Sequence, residues 1–220
     1  METSLHQQLK LHYAADASQT EVVVGRYRID AIRGDELIEV QCASLSAIKS
    51  KINALLRRHT VRVVKPVVLR TRIAKKKSPK GKITSRRMSP KRGDALDVFE
   101  DLIYFTRVFP HQNLVLEIAM IHVEQTRIPC RRHRRRWRKD YQVQDVNLEQ
   151  IESSLELRHP ADLLDIVGLD AEAESFTTED IARVTGRPRW FAQKIAYVLK
   201  HTQAIQPIGR NRSGILYRAA

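Results

Sequence analysis

Cysteine is scarce: Cys42 and Cys130 are the two in 220 residues. They stand far apart without metal-like spacing, which excludes a disulfide framework and suits a reducing compartment. Histidine gives no rival site, because its eight copies are scattered and Cys130 with His133 is too sparse for zinc. No apolar run reaches the length of a membrane span, since the longest, LVLEIAMI, carries Glu117. The opening METSLHQQLK lacks the apolar core of a signal peptide. Glycine-rich phosphate loops, nucleophile elbows and internal repeats are also missing. The expectation is a cytoplasmic protein with no membrane partner.

Acid is the other local absence. Residues 70–92 hold 11 Lys or Arg and no Asp or Glu, and residues 131–139 hold 7 more basic residues. The whole chain carries a net charge of +14, so these two blocks account for more than all of it. Residues 140–180 are the counterweight, with 12 acids against one Arg. A basic surplus concentrated in this way points to an anionic partner, DNA first and RNA as the alternative. The first block presents Lys75, Lys76, Lys77, Lys80, Arg86 and Arg87, and the second Arg131, Arg132, Arg134, Arg135 and Arg136. Trp137, set among arginines, is placed either to stack on a base or to pack.

Periodicity predicts a helix over 5–14, strands over 20–26 and 27–41, and a helix over 44–58 with Leu45, Ile48, Ile52 and Leu55 on one face. A strand over 61–69 is expected to break or lie at an edge at Pro66. The block 70–92 has Ser-Pro-Lys-Gly at its centre and reads as a basic hairpin or a disordered arm. A helix over 94–109, a strand over 114–124 and a helix over 146–157 follow. Helices are then expected over 160–169, 176–186 and 187–202, with Thr177 and Asp180 as a capping-box variant and Gly186 as a stop, and a hairpin over 204–218. The fold class is α/β (α+β), a mixed sheet with flanking helices. The expected domains are 1–130 with the basic hairpin, a linker with a helix over 131–158, and a small module over 159–220.

The segment YRIDAIRGDELIEVQ holds an acid in the middle of each of two strands. A two-residue turn at Gly34-Asp35, with positive φ at Gly34, sets Arg33 opposite Glu36 and Asp30 opposite Glu39. Ile29, Ala31, Ile38 and Val40 then face a core. Two carboxylates directly across a strand pair repel each other, and a cation between them, a divalent metal first, would relieve that repulsion.

With Asp30 on the second strand and Glu39-Val40-Gln41 on the third, the N-terminal half resembles the PD-(D/E)XK superfamily of restriction-endonuclease-like nucleases. The resemblance implies a restriction-endonuclease-like sheet, with Mg²⁺ (or Mn²⁺) held by Asp30 and Glu39. It puts Gln41 at the position usually taken by a water-activating Lys, for which Lys49 first and Lys51 second would substitute. Many relatives of this kind act as homodimers. The last 60 or so residues resemble a winged helix-turn-helix, which implies DNA contacts from Arg187, Arg189, Gln193 and Lys194, with Arg210 and Arg212 at the wing tip. The whole chain also looks like an uncharacterised bacterial family that combines the two modules. Two functions follow: a Mg²⁺-dependent endonuclease or its inactive relative, associated with the nucleoid, or a non-catalytic DNA-binding regulator or architectural protein.

Overall fold

A computed structural model describes residues 3–130, 140–212 and 214–220. The second basic run, Arg131 to Arg136 with Trp137, lies outside the described residues. The chain opens with α1 (Ser4–Tyr13) and a meander of β1 (Thr20–Val24), β2 (Tyr27–Arg33) and β3 (Glu36–Val40). A 3-10 turn, Leu45–Ile48, leads into α2 (Lys49–Leu55), then β4 (Thr60–Lys76) and β5 (Ile83–Met88). After a second 3-10 turn, Ala95–Val98, come the one-turn α3 (Phe99–Leu102), β6 (Leu114–Pro129) and β7 (Tyr141–Leu157). The C-terminal part holds α4 (Ala161–Val167), α5 (Thr178–Thr185), α6 (Arg189–His201), β8 (Ile205–Asn211) and β9 (Gly214–Ala219).

The large sheet is mixed, in the order β1-β2-β3-β4-β6-β7, with β5 also paired to β4. β3, β4 and β6 are mutually parallel and the remaining pairings are antiparallel. The α+β expectation holds. α1 covers one face through Leu5, Leu9 and Tyr13, packed on Ala31, Ile38, Val40 and Val64. On the other face, Ile52 and Leu55 of α2 join Val61, Val63, Phe99 and Phe105. That second core continues without a break into Leu163, Ile181, Phe191, Ile195 and Leu199. The C-terminal helices therefore share an apolar core with the sheet and are not tethered beside it. Fully burying one such Phe or Leu contributes about 1.5–3 kcal/mol, so the shared cluster is enough to fix them in place.

Several expectations need correction. β4 does not break at Pro66 but runs on to Lys76. β3 stops at the Val40↔Val64 pair and the pairing with β5 starts only at Arg72↔Met88, so on that side Pro66 faces a gap between strands. A residue with no N–H to donate fits there. The basic block 70–92 is a hairpin, with β5 antiparallel to the end of β4. Its return crosses the gap at Gly93, whose N–H donates to the Leu69 carbonyl at 3.2 Å. A Cβ at Gly93 would lie 2.4 Å from the Val68 carbonyl oxygen, so only glycine permits that approach.

Residues 94–109 form the short turn-and-helix pair and not one long helix. The Asp94 cap is present, its side chain accepting the Leu96 N–H while Asp97 returns the bond to the Asp94 N–H. Phe99, Leu102, Phe105, Val108 and Phe109 are all buried, more apolar burial than one helix face offers. The stretch 146–157 is not a helix but part of β7, paired along the whole of β6. Bulges explain the misleading spacing: Val123 pairs with Leu148 and His122 with Gln150, which leaves Glu149 unpaired. Leu148 and Ile151, three apart, thus both pack toward α1 as strand residues. Residues 141–157 are accordingly no linker but a strand of the sheet, antiparallel to β6.

Candidate functional site

The Gly34 turn forms as its sequence requires, with φ +57° at Gly34 and Arg33↔Glu36, Ile32↔Leu37 and Ala31↔Ile38 in register. Beyond Ala31 the ladder gives way. Asp30 Oδ2 accepts the Val40 N–H at 2.9 Å, so a side chain holds the two strands where a backbone bond would otherwise lie. The alternation of faces is interrupted here as well: Ile29 packs with the α2 core and Ala31 with the α1 core. Ile29, Ala31, Ile38 and Val40 are all buried, as expected, but on two faces.

A histidine and two lysines surround the carboxylate pair. His6 of α1 places Nε2 2.9 Å from the Val40 carbonyl oxygen and 3.3 Å from Asp30 Oδ2. A carbonyl only accepts, so Nε2 carries a proton. Lys10 of α1 stands 3.9 Å from Asp30 Oδ1 and also binds Glu21, an acid whose place the sequence leaves open. Lys51 of α2 donates to Glu39 Oε2 at 2.6 Å and also to the Arg28 carbonyl.

The two acids differ in character. Burial pushes the Asp30 carboxyl up, but the bonds from His6 and the Val40 N–H outweigh it and leave the group below its ordinary range. Burial and then the charge of Asp30 push Glu39 above its ordinary value, against the pull of Lys51. Two interacting carboxylates driven apart in this way are a recurrent mark of functional sites.

The other predicted site residues separate. Gln41 turns away: its N–H donates to the Val64 carbonyl at 2.8 Å and its side-chain amide to the Ser44 carbonyl at 2.6 Å. Lys51, not Lys49, reaches the acids, because residue 51 falls on the side of the short α2 that overlies β3. His6 and Lys10 are the partners that strand patterning alone does not identify, and their i, i+4 spacing on α1 is the available signal. Among the described residues, no group of three or more His, Cys, Asp or Glu is arranged to hold a metal ion.

The basic residues divide in the same way. Lys75 and Lys76 end β4, and Arg86 and Arg87 lie on β5 pointing to opposite faces. Lys77 and Lys80 are exposed in the turn between the two strands. Arg86 pairs with Glu124 at 2.8 Å, whereas Arg87 lines a cleft of about 970 Å³ between the hairpin and the start of α6. Arg187 is held by Asp94 at 2.7 Å and Asp97 at 2.8 Å, and Lys194 lies 3.8 Å from Glu100. Those two cations, expected to face a groove, hold α6 against the 94–102 turn. Arg189, Gln193, Arg210 and Arg212 are exposed. A further buried network joins Arg62 to Glu36, Glu117 and Glu156, with Tyr13 donating to Glu117. No helix among the described residues is long and apolar enough to cross a membrane.

Comparison with known proteins places the chain. The model of a domain of unknown function (DUF8091) matches residues 3–158. An uncharacterized protein of Treponema pallidum (strain Nichols) is 30% identical over 183 residues, covering 83% of this chain and 72% of that relative. No solved structure matches. The family match ends one residue past Leu157, where β7 closes the sheet, so strand topology and family extent draw the same boundary. The chain belongs to the DUF8091 family.

Proposed function

We propose that this protein binds nucleic acid and hydrolyses its phosphodiester bonds at the Asp30–Glu39 pair, in the manner of the PD-(D/E)XK nucleases. The observation that carries this reading is Lys51 Nζ at 2.6 Å from Glu39 Oε2, beside the Asp30 carboxylate. It supplies from α2 the amine that Gln41 cannot supply from β3.

The oxygen donors suit a hard cation. Asp30 and Glu39 stand close enough for the charge of one to act on the other, and Mg²⁺ commonly takes one or two protein carboxylates while keeping waters and substrate phosphate as its remaining ligands. Asp30 and Glu39 would hold it, and Mn²⁺ would substitute. When bound, such an ion neutralises charge on the phosphate and makes water a better nucleophile. The chain does the rest. Lys51 is aimed at the same spot and offers its remaining protons to a phosphate oxygen or to a positioned water. Glu39, pushed up by burial, is the better proton acceptor of the two acids; Asp30 stays ionised. His6 fixes the Val40 carbonyl and the Asp30 carboxylate relative to each other.

The C-terminal order of α5, a turn at Gly186 with φ +64°, α6 and the β8–β9 hairpin supports a winged helix-turn-helix as a second DNA contact. Phe176 adds the short third strand through its bridge to Tyr217. On this reading Arg189, Gln193, Arg210 and Arg212 remain available to DNA, and Arg187 and Lys194 are spent on docking.

A second reading, a non-catalytic DNA-binding regulator, is favoured by the same side chains, since His6, Lys10 and Lys51 already partner the acid pair. A cleavage assay with Mg²⁺ or Mn²⁺ on single-stranded, duplex and branched DNA separates the two. Metal-dependent cutting, lost at least a hundredfold in Asp30→Asn, Glu39→Gln and Lys51→Met with binding retained, is the expected result. Binding without cutting on every substrate would leave the regulator.

A further inference from the structure

We infer that the cleft between the basic hairpin and α6 seats a single strand of nucleic acid and excludes a duplex. This rests on the nucleic-acid reading above and specifies the form of the ligand.

Size gives the first argument. At about 970 Å³, the cleft is at the upper end of cavities that enclose a small organic ligand. A few nucleotides of one strand fit that space. A duplex, whose major groove alone is about 12 Å wide, does not.

Charge gives the second. The hairpin and its neighbour β6 present two faces of opposite character. On one, Arg72 pairs with Glu149 at 3.2 Å and Arg86 with Glu124 at 2.8 Å, so the arginines are neutralised. On the face lining the cleft, Arg87 lies across from Ile73, and Arg127 across from Lys75. With Lys91 and Arg92 at the rim, they line the cavity, and among the described residues none of these four pairs with a carboxylate. The acids on the opposite wall are answered locally: Asp97 by Arg187 at 2.8 Å, Asp101 by Lys65 at 2.9 Å and Glu100 by Lys194 at 3.8 Å. A strand built to display uncompensated arginines on one side only has the polarity of a phosphate-binding surface.

The third argument is stacking. The Arg127 guanidinium lies 3.9 Å over the ring of Tyr141, a flat π-surface of the kind on which unpaired bases stack. Trp190, at the opposite wall, is 55% exposed although its indole is costly to leave in water. A second cavity of about 260 Å³ shares Arg87, Arg127 and Tyr141 with the first and adds Lys75 and Lys76 with one acid, Asp140, so basic residues outnumber acids along it four to one. The two form one track along the hairpin. At its other end the lining reaches Leu5 of α1 and Cys42.

The test is fluorescence anisotropy with labelled 12-nucleotide single-stranded DNA, the same sequence in RNA, and the 12-base-pair duplex, at several salt concentrations. Full-length wild type is compared with R87A/R127A and with R72A/R86A, which removes the same charge from the other face; thermal melts confirm that all are folded. Single strands of either sugar are expected to bind at least tenfold tighter than duplex. R87A/R127A should lose at least tenfold and flatten the log–log salt slope by roughly 1.4, at about 0.7 per single-strand phosphate contact. R72A/R86A should stay within about twofold. Equal losses in the two double variants, or duplex bound as tightly as single strand, overturn the proposal. Cleavage on the same samples keeps the two readings apart. Strand binding without cutting removes the hydrolase and leaves the cleft; cutting unaffected by R87A/R127A removes the cleft and leaves the hydrolase.

Discussion

Lys51 and Glu39 join α2 to β3 by a single ion pair, 2.6 Å long, at the end of the strand ladder. Both side chains are largely out of water, 20% and 9% exposed, so the pair is not screened away like a surface contact. Lys51→Met leaves the Glu39 charge buried and should cost about 2 kcal/mol at pH 7, as for an unsatisfied buried group. The sign with pH follows from the raised value of Glu39. Below the ordinary carboxylate range the group is neutral folded or unfolded, and the variant approaches wild type. Above the raised value the folded state carries the full penalty. Urea melts at pH 4 and pH 7, with Lys51→Met/Glu39→Gln regaining most of the loss, check this.

Asp30 should behave in the opposite sense. Its folded value lies below the ordinary one, so it stabilises the fold above the unfolded value, about 3.9, and that stability is lost as pH falls through the lower folded value. Asp30→Ala removes the acceptor for the Val40 N–H and should cost about 1–3 kcal/mol at neutral pH. The difference from wild type should shrink in melts taken near pH 2.

Arg62 answers three carboxylates, at 2.8 Å to Glu36, 2.5 Å to Glu117 and 2.6 Å to Glu156. Its removal strands Glu117, which is 6% exposed. Arg62→Ala should destabilise by about 3–5 kcal/mol, measurable as a drop in urea midpoint. Glu156→Ala, at the exposed end of the same network, should cost under about 1 kcal/mol.

The docking of α6 makes a separate prediction. Asp94→Asn/Asp97→Asn removes both carboxylates holding Arg187. Because the apolar cluster still anchors α6, the loss should be about 1 kcal/mol or less. Affinity for nucleic acid should rise several-fold, since two repelling charges go and one cation is released. Anisotropy and thermal melts on the same samples report both effects.

Much of this was legible in the residues themselves. The Gly34 turn and the register from Arg33↔Glu36 to Ala31↔Ile38 followed from one glycine, and α5 from Thr177, Asp180 and Gly186. What failed did so for physical reasons. Bulges at Glu149 and Glu152 gave β7 the three-residue spacing of a helix. The aromatic burial around Phe99, Phe105 and Phe109 replaced a long helix with turns. Lys51, and not the first choice Lys49, reaches Glu39 because a 3-10 turn precedes the helix and shifts the angular position of every later side chain. Lys10 was missed because a helix-to-strand contact depends on docking, and its i, i+4 spacing from His6 on α1 is the one local sign of it.

The parallel pairing of β4 with β6 runs from Val61↔Leu114 to Lys75↔Arg127, joining positions about fifty residues apart all along its length. Nothing local rewards that contact until the hairpin, the Gly93 crossing and the aromatic turn have all been laid down. Closing so long a loop must precede the gain it brings, which makes non-local parallel seams slow to form. The acid pair sits on strands flanking one end of this seam and the cleft on the other. Both therefore lean on the same buried seam, and substitutions of its core residues Val63, Leu116 or Ile118 should loosen the two together.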